Sequence, residues 1–313
     1  MMTEISPNFQ KFKTKDASSY DSVTDEFDRF TERLSIPLVT RMISLAQLAA
    51  SHQILDIGTG TGIVALHAAQ KIGTEGKVIG VDLSDKMLER AKLKALRAGL
   101  NCCVEFRRMD AEALDLENCT FDTVFSLFAL LHFPNPLSAL KEMLRVLRPG
   151  GRLVLAIGSS APLLSLTGLS HIVRRLPGVL HKLRGKELTA PRFLNSLVEK
   201  HFPEPDEPEE TALAAAESNR TQVVLDLVGK TEFTNVRSHW EGHRTALETP
   251  EEFWDLQRTF SSIARKRLSR VSADKVDALR EEFLDTCRKV QSRGGKLVYP
   301  YAALFIAAER PSA

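Results

Sequence analysis

Cysteine is scarce in this chain: Cys102, Cys103, Cys119 and Cys287 are the only four in 313 residues. Their spacing makes no metal-ligand pattern, and the neighbouring Cys102–Cys103 pair is a poor disulfide candidate because adjacent Cα atoms sit too close for an unstrained bridge. That argues against a disulfide-stapled secreted scaffold, and a reducing cytoplasm is the simple expectation. An excess of one charge is also missing. Forty-two basic and forty acidic side chains leave a formal +2, so no global field draws the chain to nucleic acid. Residues 1–16 are polar and lack the apolar centre of a signal peptide, so export is not expected. Leu153 to Val173 is free of Asp, Glu, Lys and Arg, but Gly158, Ser159, Ser160, Pro162 and His171 interrupt it. It reads as a strand, a loop and a helix start rather than a membrane span.

With 43% hydrophobic residues the chain can bury one substantial core, or a core plus an inserted cap. Residues 18–50 place Phe27, Phe30, Leu34, Leu38, Met42, Leu45 and Leu48 at helical spacing, with Pro37 between two expected helices. Strands and helices then alternate: strand 53–57, helix 62–71, strand 77–82, helix 86–98, strand 104–108, strand 121–126, helix 136–146, strand 153–157. Alternation of this kind predicts a doubly wound, mostly parallel α/β sheet with helices on both faces. A further helix is expected over 218–228, a strand over 235–241, two helices over 250–270 and 272–291, and a closing strand over 296–309. The expected division is a helical cap over 1–50, a binding core over 51–157 and a lid insertion over 158–216. The core then continues over 217–248, followed by a helical lid over 249–295 and the closing strand over 296–313.

The first strand ends in Asp56-Ile57-Gly58-Thr59-Gly60-Thr61-Gly62, and Asp82 follows twenty residues after Gly62. A strand running into a glycine turn lets backbone approach a ligand at the carboxyl edge of a parallel sheet, and an acid at the tip of the next strand can hold ribose hydroxyls. A dinucleotide fingerprint needs glycine at the first, third and sixth places, but counting from Gly58 the sixth place is Ile63. Asp56 would repel a pyrophosphate, whereas it suits a ligand carrying an ammonium and a sulfonium, as S-adenosylmethionine does. A tight strand-to-helix turn with no ligand is the bland alternative.

These residues resemble the class I S-adenosylmethionine-dependent methyltransferases, and the resemblance runs from about Tyr20 to the chain end, strongest from Ile54 to Ile157. It implies a Rossmann-like sheet of seven strands with the last two antiparallel at one edge, and helical insertions that cover the substrate. It also implies a cofactor set of Tyr20, Asp56, Gly58, Thr59, Gly60, Gly62, Asp82, Leu83, Met87, Asp110, Ala111, Ser126, Leu127 and Leu131. In that set Asp56 lies near the amino group, Asp82 on the ribose and Asp110 on the adenine amino group. Asp82 could equally cap a helix, since Ser84 and Asp85 follow, and Asp110 could be an N-cap. Ser126 to His132 lacks the Asn or Asp, Pro-Pro, aromatic motif of base N-methyltransferases. Arg145-Val146-Leu147-Arg148-Pro149-Gly150-Gly151, with Tyr20-Asp21, resembles the branch that includes ubiquinone and menaquinone C-methyltransferases. Ala156-Ile157-Gly158-Ser159 lacks the acid common in those quinone enzymes.

Methyl transfer is an in-line displacement that needs alignment and exclusion of water, and a base only where the nucleophile must lose a proton. His132, at the carboxyl end of the fourth strand, is the candidate base, against a solvated loop histidine as the alternative. His243, Tyr299 and Tyr301 are weaker candidates near the expected lid. His239 and His243 could share a metal only on a helix, since in a strand they stand roughly 13 Å apart. Leu163 to Leu183 mixes apolar residues with Arg174, Arg175 and Lys182, and Arg184 follows; this suits an amphipathic lid with a solvated basic face or a peripheral membrane contact. The expected activity is methylation of oxygen or carbon on a small apolar or aromatic acceptor. An RNA methyltransferase and a cofactor-binding assembly or regulatory factor are the alternatives.

Overall fold

The computed structural model describes residues 7–158, 187–190, 192–203 and 220–312. The expected basic lid stretch and the acidic run Glu204–Glu210 lie outside them. The chain forms two compact units, Met1–Ser160 with Glu210–Trp240 and Ala303–Ala313, and Ala161–Glu209 with Glu241–Ala302.

The first unit opens with α1 (Pro7–Asp21), α2 (Thr24–Leu34) and α3 (Ile36–Ala46), the last with Pro37 in its first turn. Proline is tolerated there because those N–H groups have no intrahelical partner. The polar N-terminal residues had not suggested α1. Next come β1 (Gln53–Ile57), α4 (Ile63–Ile72), β2 (Lys77–Asp82), α5 (Asp85–Arg97), β3 (Val104–Arg108), β4 (Phe121–Leu127), α6 (Pro136–Val146) and β5 (Leu147–Gly158). Each falls within a residue or two of its expected place except β5, which starts six residues early. Leu147 pairs with Phe121, Gly150 then turns through φ +75°, and an irregularity resets the register at Thr123–Arg152.

The strands run in the order β3-β2-β1-β4-β5-β8, parallel until β8 (Lys296–Glu309), which is antiparallel to β5. That order reverses direction of growth between β1 and β4, so the carboxyl ends of both open onto one crevice. Ile54, Leu55, Ile57, Val124, Phe125 and Leu153 to Ile157 are buried, as continuous apolar runs in a sheet covered on both faces should be. α8 (Arg220–Gly229) belongs to this unit. β7 (Thr234–Leu247) pairs with β8 and runs six residues past its expected end, passing into the second unit.

The second unit holds β6 (Glu187–Thr189), α7 (Arg192–His201), α9 (Pro250–Phe260), α10 (Ser262–Leu268) and α11 (Ala273–Ser292). β6 pairs in parallel with the first residues of β8 and makes an eight-stranded sheet where seven were expected. Three helices stand where two were expected over 250–291, because Ser261 ends α9 and its hydroxyl caps α10 by accepting from the Ala264 N–H. Phe253, Trp254 and Phe283 form the centre of this unit, with Phe283 contacting both others and Phe193. Among the described residues no helix is long and apolar enough to cross a membrane.

Candidate functional site

β1 delivers Asp56 into the interior, 1% exposed. Its Oδ2 accepts from Thr59 Oγ1 at 2.6 Å and from the Ala65 N–H at 3.1 Å, while Oδ1 is buried with no partner. Burial pushes this carboxyl up to about 7, against the pull of those two hydrogen bonds. The turn that follows is anchored by the Gly58 and Thr59 N–H groups, both donating to the Val81 carbonyl. Gly58 is held at φ +69° with Ala129 so close that an added Cβ would stand 2.2 Å from the Ala129 Cβ. Gly62, at φ +82°, faces Phe106 at 2.9 Å in the same sense, but a Cβ on Gly60 would meet only Phe27 at 3.5 Å. The turn is thus packed underneath at Gly58 and Gly62 and open at Gly60.

Asp82 ends β2 and ties that turn down, Oδ2 accepting from the Gly60 N–H at 2.9 Å and Oδ1 from the Ser84 N–H at 3.0 Å. Burial raises its carboxyl, partly offset by these bonds and by His132 nearby. A carboxylate has about four acceptor sites, so Asp82 keeps acceptor capacity beyond the Gly60 and Ser84 N–H groups and the Leu83 backbone contact. Ser84 caps α5 by accepting from the Met87 N–H, which removes the capping role from Asp82. Leu83 is half-buried and Met87 fully buried on the same turn.

Asp110 follows β3 in a turn, not at a helix start, with Oδ1 accepting from the Glu112 N–H at 3.0 Å. Its Oδ2 is 2.7 Å from Lys13 Nζ, which also reaches Glu112 Oε2 at 2.7 Å. Ala111 is buried beside it. Ser126 and Thr61 are each 1% exposed, and their hydroxyl oxygens have no partner. Beyond Leu127 the chain passes through Phe128 at φ +58°, a backbone state that a bulky residue rarely takes, with its N–H donating to the Ala156 carbonyl. A single 3₁₀ turn, Leu130–His132, then presents Leu131 and His132.

His132 is gripped from α1: Nδ1 lies 2.9 Å from Asp16 Oδ2 and Nε2 lies 3.2 Å from the Tyr20 hydroxyl. The expected stations at Tyr20, Asp56, Asp82, Asp110, Ser126 and His132 all fall in the first unit. His243 falls in the second, on β7, stacked on Tyr301, which continues through Tyr299 to Phe260 at ring separations of 5.2, 5.5 and 5.8 Å. Burial raises both tyrosine hydroxyls. Among the described residues no group of three or more His, Cys, Asp and Glu is arranged to hold a metal. Lys13, Asp16 and Glu112 escaped sequence reasoning, although Lys13, Asp16 and Tyr20 share the three- and four-residue spacing of one helix face.

A methyltransferase-domain family model matches residues 55–155. The ubiquinone/menaquinone biosynthesis C-methyltransferase UbiE of Marinomonas sp. is 33% identical over 188 residues, 59% of this chain and 73% of that protein. The chain belongs to the class I S-adenosylmethionine-dependent methyltransferases. Demethylmenaquinone methyltransferase of Lactococcus lactis is 36% identical over 155 residues, 47% of this chain and 59% of that protein. The YcgJ protein of Bacillus subtilis aligns with a TM-score of 0.53 at 19% identity, over 88% of this chain and 98% of that one, a likeness of fold.

This methyltransferase keeps features that a cationic, nucleoside-bearing ligand would use. Asp56 Oδ1, Thr61 Oγ1 and Ser126 Oγ are buried oxygens without partners, on elements that meet at the glycine turn. An unpaired buried polar atom is costly unless something satisfies it, and three acceptors near an open turn match an ammonium-bearing ligand. The glycine cradle and Asp82 supply backbone approach and diol acceptors, so the residues present fit S-adenosylmethionine.

Proposed function

We propose that this enzyme methylates an oxygen or carbon of a small apolar or aromatic acceptor, with S-adenosylmethionine bound over the Gly58–Gly62 turn. The carrying observation is Asp56, a buried carboxylate with one oxygen unpaired at the mouth of the turn. In this reading Asp56 and Ser126 face the ammonium end, Asp82 takes the ribose diol, and Asp110 with Ala111 meets the adenine. Leu83, Met87, Leu127 and Leu131 line the apolar walls, and Tyr20 closes over the ligand from α1. The bound cofactor supplies an electrophilic methyl group on a sulfonium.

His132 serves as the base for a hydroxyl-bearing acceptor. An aromatic or quinol-like acceptor is supported by the relatives, which are named as a ubiquinone/menaquinone biosynthesis C-methyltransferase and a demethylmenaquinone methyltransferase.

Calorimetric titration with S-adenosylhomocysteine, S-adenosylmethionine and NAD tests the cofactor site. Micromolar binding of both sulfur ligands and none of NAD is expected, and Asp82→Ala should weaken S-adenosylhomocysteine about 100-fold, since two charge-assisted hydrogen bonds are worth about 3 kcal/mol. Equal binding by the variant, with its fold intact, would refute the assignment.

A further inference from the structure

α1 is an unusual element to find against a binding face. Among its residues 11–21 the two buried side chains are Lys13 and Asp16, a cation and an anion. Asp16 is four residues before Tyr20, so both project from one face of the helix, and His132 stands between them. Asp16 Oδ2 reaches one ring nitrogen at 2.9 Å and the Tyr20 hydroxyl reaches the other at 3.2 Å, the two rings meeting edge to face.

The chemistry of the partners orders the protons. An ionised carboxylate only accepts, so the Asp16 contact requires the hydrogen on Nδ1. In the neutral ring Nε2 is then an acceptor, and the Tyr20 O–H must donate to it. Asp16 would also stabilise the imidazolium that forms when Nε2 gains a proton, as a buried carboxylate does behind a catalytic imidazole. Asp16 and Tyr20 lie on α1, whereas His132 lies on the 3₁₀ turn after β4.

We propose that Asp16 is the positioning residue of His132 and Tyr20 its proton inlet, a relay that exists only while α1 is docked. The proposal rests on the reading of His132 as base. As the methyl group is transferred, the acceptor hydroxyl gives its proton to the Tyr20 oxygen while the Tyr20 proton passes to His132 Nε2. The new bond forms between the methyl carbon and the acceptor, the sulfur keeps the electron pair of the broken bond, and the positive charge lost there reappears on the imidazolium beside Asp16. The charged groups around the relay are Asp82, which His132 influences directly, and the Lys13 cluster with Asp110 and Glu112 one turn back along α1.

The tautomer can be read with no acceptor at all. Long-range proton–nitrogen correlation spectra of the full chain, labelled in its histidine rings, are recorded with and without S-adenosylhomocysteine, and His132→Gln identifies the signal. The wild-type ring should show one species, protonated at Nδ1. Asp16→Asn should turn it into a tautomer mixture, and Tyr20→Phe should shift Nε2 alone. A wild-type ring protonated at Nε2, or an unchanged pattern in folded Asp16→Asn, overturns the relay; if Asp16→Asn does not fold, the wild-type pattern decides. Failure to bind S-adenosylhomocysteine would instead strike the cofactor reading, because the tautomer is visible in the free protein. On any acceptor that the wild type methylates, Asp16→Asn should lower kcat about 10-fold to 100-fold with KM unchanged. It should add nothing to the loss in His132→Gln, and additive losses would overturn a role through His132.

Discussion

The floor of the site and the helix above it are held by different forces. The floor rests on β1 and β4, where Leu55, Ile57, Val124 and Phe125 are fully buried, each contributing about 1.5–3 kcal/mol by removal from water. α1 buries Lys13 and Asp16 and, over residues 11–21, no apolar side chain. Its ties include Lys13 to Asp110 and Glu112, Asp16 and Tyr20 to His132, and Asp21 accepting from the Ser84 hydroxyl, with the half-buried Tyr20 ring meeting Phe27 edge to face. Apolar burial is non-directional and is not screened by salt, whereas an ion pair gains little over its desolvation cost. A packed floor can therefore pre-organise ligand contacts, while a charge-fastened helix should open at lower cost than the floor.

The sharpest break in the floor is Gly58→Ala. The added Cβ would stand 2.2 Å from Ala129 and the φ of +69° disfavours any side chain, so about 3 kcal/mol should be lost. Gly99 has nearly the same φ, +67°, but open space around it, so Gly99→Ala should cost only about 1 kcal/mol. Chemical denaturation of both variants isolates the packing share. Equal losses would mean that the glycine turn is not packed against Ala129 as the structure has it.

Asp56 sharpens the comparison next, because burial in the floor makes its charge expensive. Its carboxyl is raised from 3.8 to about 7, so the folded protein binds this proton more tightly than the unfolded chain. The associated stability is fully present below 3.8 and is lost as pH rises through about 7. A ligand ammonium reverses the preference by pairing with the ionised form. If only that form binds, affinity for S-adenosylhomocysteine should rise up to about 100-fold from pH 5 to pH 8, each pH unit below 7 being worth about 1.4 kcal/mol. Titrations across that range should show the rise in wild type and a much flatter profile in Asp56→Asn. Parallel profiles would place the titrating group elsewhere.

The same contrast explains what could be read from sequence. β1, β2, β3, α6 and β8 follow from apolar runs and from proline and glycine punctuation, signals that stay local. Asp56, Gly58 and Asp82 were legible because a turn at a switch point demands those residue types at those spacings. α1 was not, since a helix whose inward face is Lys13, Asp16 and Tyr20 has no apolar periodicity to reveal it. His132 could be named from its place after β4, but its partners come from residues more than a hundred positions earlier, and only the folded chain joins them. β6 was missed for a related reason: three residues make too short a pattern, and its pairing with β8 is what makes Glu187–Thr189 a strand.

The gentlest break is Lys13→Met, which keeps the stem's length and removes the charge. Lys13 is 5% exposed, Glu112 6% and Asp110 20%, so its loss leaves two carboxylates facing each other under α1 with no cation between them. Because no apolar side chain over residues 11–21 is fully buried, the cost should fall mainly on α1. Backbone amides of α1 should exchange about tenfold faster, which corresponds to about 1.4 kcal/mol of local opening, while those of β1 and β4 keep their wild-type rates. Raising the salt concentration should move the wild type the same way, since screening weakens the ties of α1 but not the apolar packing below it. Equal acceleration in α1 and in the floor would mean that the two open as one cooperative unit, and the division between a packed floor and a charge-fastened helix would fail.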